Sequence, residues 1–161
     1  MRFSWLALSA LLMLSGCSQK GAFDLFSMDE SHERAVEQLR TGTIVQSLET
    51  KAIFSTVYLN PISPEQYKEG EYFIGAFYFD KGNLDTKKWD LETYGYTLTM
   101  NGKKAKVFEE LKQNDPRRAL IPIKNNWNRY YLMGFEPSAS TSLALKLENN
   151  QTGQVVLNYQ K

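Results

Sequence analysis

The last twenty residues of the chain carry two runs in which apolar residues stand at every second position. A short segment rich in Asn and Gly, residues 149–153, separates the two runs. Since a period of two places one face of a strand against a core, the pattern predicts an antiparallel hairpin with one buried face. The inward positions are Leu143, Leu145 and Leu147 in the first run and Val155, Leu157 and Tyr159 in the second.

Similar short runs of β-branched and aromatic residues recur upstream, divided by turn signals about every ten residues. Residues 72–79 are apolar on both faces, which is typical of a central strand in a covered sheet. Asn101-Gly102 is a strong hairpin signal, and Pro122 restricts its run to an edge or a bend. The predicted strands are 52–59, 72–79, 96–100, a return strand that begins with Ala105 and Val107, 119–123 and 130–135.

Seven or eight short strands without alternating long helices favour a mainly β fold, an antiparallel β-sandwich. An immunoglobulin-like topology is a common arrangement of so many strands in about 120 residues, and we expect it here. The cysteine and tryptophan landmarks of antibody domains are absent, so no family membership follows. The first half of 43–59 is ambiguous, because Ile44, Val45 and Leu48 also suit a helical face.

Residues 29–40 predict one short helix ahead of the sandwich. Acidic residues occupy the first turn, Arg40 the last, and Gly42 follows, which are helix start and stop signals. Ala35, Val36 and Leu39 form a narrow apolar stripe along it. The sequence therefore predicts a single domain over 29–161, with a helix at 29–40 and a β-sandwich at 43–161.

The first sixteen residues are predicted to be a cleaved signal peptide. Arg2 precedes an apolar run, residues 5–14, that has signal-peptide length and is too short to span a bilayer comfortably. The run ends in Leu14-Ser15-Gly16-Cys17, which resembles the lipobox of bacterial lipoproteins. That resemblance implies cleavage before Cys17, lipid attachment to its thiol, and a tether over residues 17–28.

The resemblance also implies a location. Lipid chains would make the membrane a partner of this chain. Lipoproteins retained in the inner membrane carry Asp after the cysteine, so Ser18 at that position implies delivery to the outer membrane. The expected localisation is the cell envelope, facing the periplasm or the exterior. Cys17 is the single cysteine, so the domain forms no internal disulfide.

Charge argues against nucleic acid as a partner. The chain has 19 Lys and Arg and 18 Asp and Glu, and removal of residues 1–16 takes away only Arg2. The remaining 18 basic and 18 acidic residues are interspersed, whereas a nucleic-acid binder usually carries a basic stripe or a high pI.

The sequence contains no recognisable catalytic motif. Its one histidine, His32, falls in the polar start of the predicted helix, and the loop 80–85 lacks the ligand spacing of a calcium-binding EF-hand. We predict no cofactor and no metal site. The sequence favours a non-catalytic envelope module that binds a protein, peptide or glycan. The alternative is a lipid-anchored enzyme that uses a pair of carboxylates on envelope glycans, because acids distant in the chain can meet in space.

Two surface features are candidate sites. Trp127, Tyr130, Tyr131 and Trp89 combine with neighbouring asparagines in a mixture that sugar- or peptide-binding surfaces use, although the same rings would also serve to pack the ends of a sandwich. An exposed Trp127 would favour binding. Glu148-Asn149-Asn150-Gln151-Thr152 resembles the extended acceptor sequence of periplasmic N-glycosylation, which makes Asn150 a candidate for modification, and ordinary turn preference explains the same residues.

Overall fold

The computed structural model of the chain describes residues 30–82 and 90–161. Within these residues lie one α-helix, nine β-strands and one short 3-10 helix at Pro116–Leu120. The elements are α1 (Glu30–Glu37), β1 (Leu39–Gln46), β2 (Glu49–Tyr58), β3 (Glu71–Phe79), β4 (Thr97–Met100), β5 (Lys103–Lys104), β6 (Val107–Glu110), β7 (Arg129–Phe135), β8 (Ser142–Asn149) and β9 (Gly153–Gln160).

The strands form two antiparallel sheets. One has five strands in the order β1-β2-β3-β7-β6, and the other has four in the order β5-β4-β8-β9. The run β2-β3-β7-β6 corresponds to A-B-E-D of an immunoglobulin domain, and β4-β8-β9 corresponds to C-F-G. The predicted mainly β fold, an antiparallel sandwich, is confirmed, with nine strands among the described residues in place of seven or eight.

The main core lies between the two sheets, where side chains of both inner faces meet. The alternating leucines of β8 point inward as predicted, and β2 and β3 contribute stacked rings such as Phe54 and Phe77, whose centroids lie 4.7 Å apart. The fully buried residues of this core include Phe54, Phe73, Phe77, Leu143, Leu145, Leu147 and Tyr159.

A second core covers the outer face of the five-stranded sheet. Val57, Ile74 and Leu132 point outward from β2, β3 and β7 and are buried there. They are covered by Ala35 of α1 and by the segments 59–70 and 111–128, which cross this face. This second layer explains why β3 is apolar on both faces, so the prediction of a central, covered strand is confirmed.

The helix is shorter than predicted. It ends at Glu37, and Arg40 lies in β1, where its guanidinium donates to the carbonyls of Glu37 and Leu39 at 2.7 and 2.8 Å. Arg40 therefore caps the helix from outside it. Val36 is 46 % exposed, so the predicted stripe is wrong at that position.

Two further predictions along the chain are wrong. Residues 119–123 form no strand, because Asp115 caps a 3-10 helix that opens with Pro116 and ends at Leu120. The predicted return strand from Ala105 and Val107 is two strands. β5 pairs with β4 in one sheet, and β6 crosses to pair with β7 in the other.

The sandwich has two distinct ends. The loop end carries the turns at 47–48 and 150–152 together with residues 125–128, and the side chain of Gln46 donates to the carbonyl of Gln151 there at 2.9 Å. The opposite end, which we call the termini end, carries the start of β1, the segments 59–70 and 136–141, and Lys161. No helix within 30–82 and 90–161 is long and apolar enough to cross a membrane.

Candidate functional site

Trp127 projects from the loop end, and hydrogen bonds to its own backbone amide and the next one fix the backbone that carries it. The side-chain oxygen of Asn125 accepts from the backbone amides of Trp127 at 3.1 Å and Asn128 at 2.8 Å. This Asx turn fixes the four residues that precede β7. Trp127 is 76 % exposed, so it does not pack the end of the sandwich.

Beside Trp127 lies a groove of about 550 Å³, which we call the aromatic groove. Its floor is the outer face of the five-stranded sheet, where Ile53 of β2 pairs with Tyr78 of β3. Its volume lies in the range of small-ligand sites. The lining residues are Thr50, Ile53, Tyr78, Asn125, Trp127 and Asn128.

The segment 111–128 also forms two adjoining clefts of about 500 and 590 Å³, which together we call the polar cleft. Both clefts are lined by Gln113, Arg118, Asn125, Asn126 and Tyr130. Asn125 also lines the aromatic groove, so the polar cleft and the groove adjoin at this residue.

Arg118 and Tyr130 form the wall of the polar cleft. Tyr130 is buried in the second core, and its hydroxyl donates to the carbonyl of Ile123 at 2.7 Å, which fixes the ring. The guanidinium carbon of Arg118 lies 4.1 Å from the centroid of that ring, close enough for a cation–π contact. Arg118 is not among the residues predicted from the sequence, although Asp115-Pro116 ahead of it is a recognisable cap for a helical turn.

The acids around the polar cleft are already paired. Arg117 binds Asp115 at 2.5 Å and Glu109 at 3.4 Å, and Arg129 binds Glu110 at 3.2 Å. The hydrogen bonds from Arg117 hold the pKa of Asp115 below its ordinary value.

Three cations of the cleft have no such partner. In the part of the chain that the structure describes, no carboxylate forms an ion pair with Lys112, Arg118 or Lys124. The cleft therefore has an excess of positive charge, although the whole domain is close to neutral.

Of the predicted aromatic residues, the structure brings Trp127 and Tyr130 to neighbouring surfaces but not Tyr131. Successive residues of a strand face opposite sides, and Tyr131 lies in the main core, stacked on Phe108 with ring centroids 4.5 Å apart. The grouping of the three rings on one surface is therefore wrong. Trp89 and the lipidation residue Cys17 lie outside the described residues.

Asn150 is exposed at the tip of the β8–β9 turn, on the loop end. The side chain of Asn149 accepts from the backbone amides of Gln151 at 2.8 Å and Thr152 at 3.1 Å, which closes the turn. The candidate glycosylation site thus sits in a tight, hydrogen-bonded turn.

Few carboxyl groups line the clefts formed by the described residues. The polar cleft is lined by two, Asp115 and Glu110, and both form ion pairs with arginines. The aromatic groove is lined by none, and two further clefts formed by described residues are lined by one each. His32 is half-buried on α1 and lines none of these clefts. Within 30–82 and 90–161, no three His, Cys, Asp or Glu side chains are placed to hold a metal ion.

Comparisons with protein-family models, curated proteins and solved structures gave no match to this chain.

Proposed function

We propose that this protein is a lipid-anchored, non-catalytic binding module of the bacterial cell envelope. In this proposal the lipidated Cys17 holds the chain on the outer membrane, and the loop end of the sandwich binds a ligand. The anchor is supported by the lipobox-like Leu14-Ser15-Gly16-Cys17 after an apolar run of signal-peptide length.

The observation that carries the binding role is the exposed Trp127. A large ring that is 76 % exposed contributes little to folding, yet the Asx turn of Asn125 holds its backbone in one conformation beside the aromatic groove. Rigid, exposed aromatic rings are frequent anchors of binding surfaces because they offer contact area with little loss of conformational entropy.

The placement of the two ends supports the same proposal. The chain enters α1 beside the segment 59–70, where the guanidinium of Arg34 reaches the carbonyl of Pro61 at 3.4 Å. This is the termini end, so an anchor on Cys17 would leave Trp127 at the far end of the sandwich, away from the membrane. The chain from Cys17 to Glu30 can extend by at most about 45 Å.

The anchor is tested by replacing Cys17 with Ala in the full chain. We expect the variant to lose incorporation of labelled palmitate and to leave the detergent phase on phase partitioning, because two or three acyl chains are needed for lasting attachment. Wild-type partitioning of the variant would refute the anchor.

The binding role is tested by placing a photo-crosslinking amino acid at position 127 of the full chain in intact cells. Val156 is the matched control position, since it is 40 % exposed on β9, in the other sheet. We expect envelope adducts from position 127 and none from position 156. Equal labelling from both positions would contradict a binding surface at the loop end.

A further inference from the structure

We infer that the ligand of the loop end is an acidic oligosaccharide whose sugar ring lies on Trp127 and whose carboxylate binds Arg118. This inference rests on the proposed function and adds the chemical class of the ligand. Its basis is the adjacency of the aromatic groove and the polar cleft, which share Asn125 and Asn128 as lining residues.

Arg118 is positioned to bind a carboxylate. The carbon of its guanidinium lies 4.1 Å from the centroid of the Tyr130 ring, and the hydroxyl of that ring already donates to the carbonyl of Ile123. Stacking engages the face of a guanidinium and leaves its N–H groups free in the plane, where they match the two oxygens of a carboxylate. Among the described residues, no protein oxygen accepts from the Arg118 side chain.

The charge of the cleft favours an anion over a neutral ligand. Lys112 and Lys124 line the same cleft as Arg118, and within the described ranges neither has an acidic partner. The nearest acids, Asp115 and Glu110, are engaged by Arg117 and Arg129. Arg118 also lies close enough to Asp115 to help lower the pKa of that carboxyl. The cleft is lined by four cationic and two acidic side chains, so a bound carboxylate would meet a net positive charge.

The amides of the cleft favour sugar hydroxyls. In the part of the chain described by the structure, the side chains of Gln113 and Asn126 have no hydrogen-bond partner in the protein. A side-chain amide both donates and accepts, as does a hydroxyl group, so a row of amides matches a row of hydroxyls. An acidic peptide shares the charge but offers fewer hydroxyls, and the apolar face of a sugar ring suits the flat surface of Trp127.

The inference is tested by titrating the full chain with three probes of similar length. These are an oligogalacturonate, its methyl ester, which has the same backbone without charge, and an oligoglutamate. We expect the oligogalacturonate to bind about tenfold more tightly than the ester, the size of effect given by one charge-assisted hydrogen-bonded pair.

The variants assign that difference to residues. Arg118→Gln should remove the preference for the charged oligosaccharide, and Arg118→Lys should retain part of it because the charge remains without the planar fork. Arg34→Gln is the control for the loss of one arginine, since Arg34 is an exposed arginine at the termini end, paired with Glu30 and away from the polar cleft. Lys124→Gln, at an exposed residue with no ion pair among those the structure describes, should weaken binding about twofold without loss of folding.

Each contrary result overturns a different statement. Equal affinity for the acid and its ester, lost in Trp127→Ala, would remove the role of Arg118 and leave the binding module intact. Equal or tighter binding of oligoglutamate would replace the sugar by an acidic peptide. If no probe binds, the inference fails, and the proposed function is decided by the crosslinking at position 127.

Discussion

Replacing Trp127 with Ala should leave the folded domain nearly as stable as the wild type. Trp127 is 76 % exposed, so only about a quarter of it is in contact with protein. For a ring that can bury up to roughly 250 Å², that quarter stabilises the fold by at most about 1.5 kcal/mol at ~25 cal/mol per Å². Contacts already present in the unfolded chain reduce the value toward about 1 kcal/mol.

The assay is thermal and urea unfolding of the full chain in detergent, followed by circular dichroism. For a domain of this size the expected change in melting temperature is about 3–5 °C. The control is Phe54→Ala, because Phe54 is fully buried and stacks on Phe77 in the main core. That substitution should cost about 3–5 kcal/mol.

The two substitutions therefore separate two interpretations of the ring. A loss of stability from Trp127→Ala as large as that from Phe54→Ala would show that Trp127 packs the sandwich end. Such a result would remove the observation on which the proposed binding surface depends.

Three further predictions concern the scaffold. Burial alone would raise the pKa of Glu71, but hydrogen bonds from Lys161, the Tyr58 hydroxyl and the Ser138 amide outweigh it and lower that pKa. Glu71→Gln should therefore cost about 1–3 kcal/mol at neutral pH, and the difference from wild type in urea unfolding should vanish as pH falls through the lowered pKa. Gly42→Ala should destabilise the folded domain by about 1–3 kcal/mol, since its new Cβ would lie 2.2 Å from a methyl carbon of Val155. In a double-mutant cycle, adding Val155→Ala should recover most of that loss, and additive effects of the two substitutions would refute the contact. Leu48→Gly should stabilise by about 1 kcal/mol, because Leu48 is fully exposed with φ 67° in a two-residue hairpin turn, and a lower melting temperature would contradict that reasoning.

The strands were predictable where their pattern is local. The hairpin of β8 and β9 and the central strand β3 follow from periodicity and turn residues that lie within ten positions of one another. The immunoglobulin-like order could be expected only as a common arrangement, because the sequence does not state which strands pair.

The candidate site was only partly predictable from the sequence. It depends on contacts between side chains that are distant in the sequence, and on which face of a strand each side chain occupies. The exposure of Trp127 follows from the Asx turn of Asn125, which sequence alone did not distinguish from core packing. Arg117 and Arg118 are adjacent in the sequence, and the sequence does not show which of them pairs with a carboxylate. In the fold Arg117 forms the ion pair with Asp115, and Arg118 lies over the ring of Tyr130. Likewise, the ion pair of Glu71 with Lys161 joins residues ninety positions apart.

The separation of the two ends has a mechanical consequence. A pull between a ligand on the loop end and the chain entering β1 at Leu39 acts along the strand, so the eight residue pairs from Leu39–Val57 to Gln46–Glu49 resist it together in shear. A pull between Glu30 and Lys161, both at the termini end, would instead open those pairs one after another. Force spectroscopy with attachment at residues 30 and 151 should give a higher rupture force than attachment at 30 and 161, and equal forces would refute a shear-resistant tether strand.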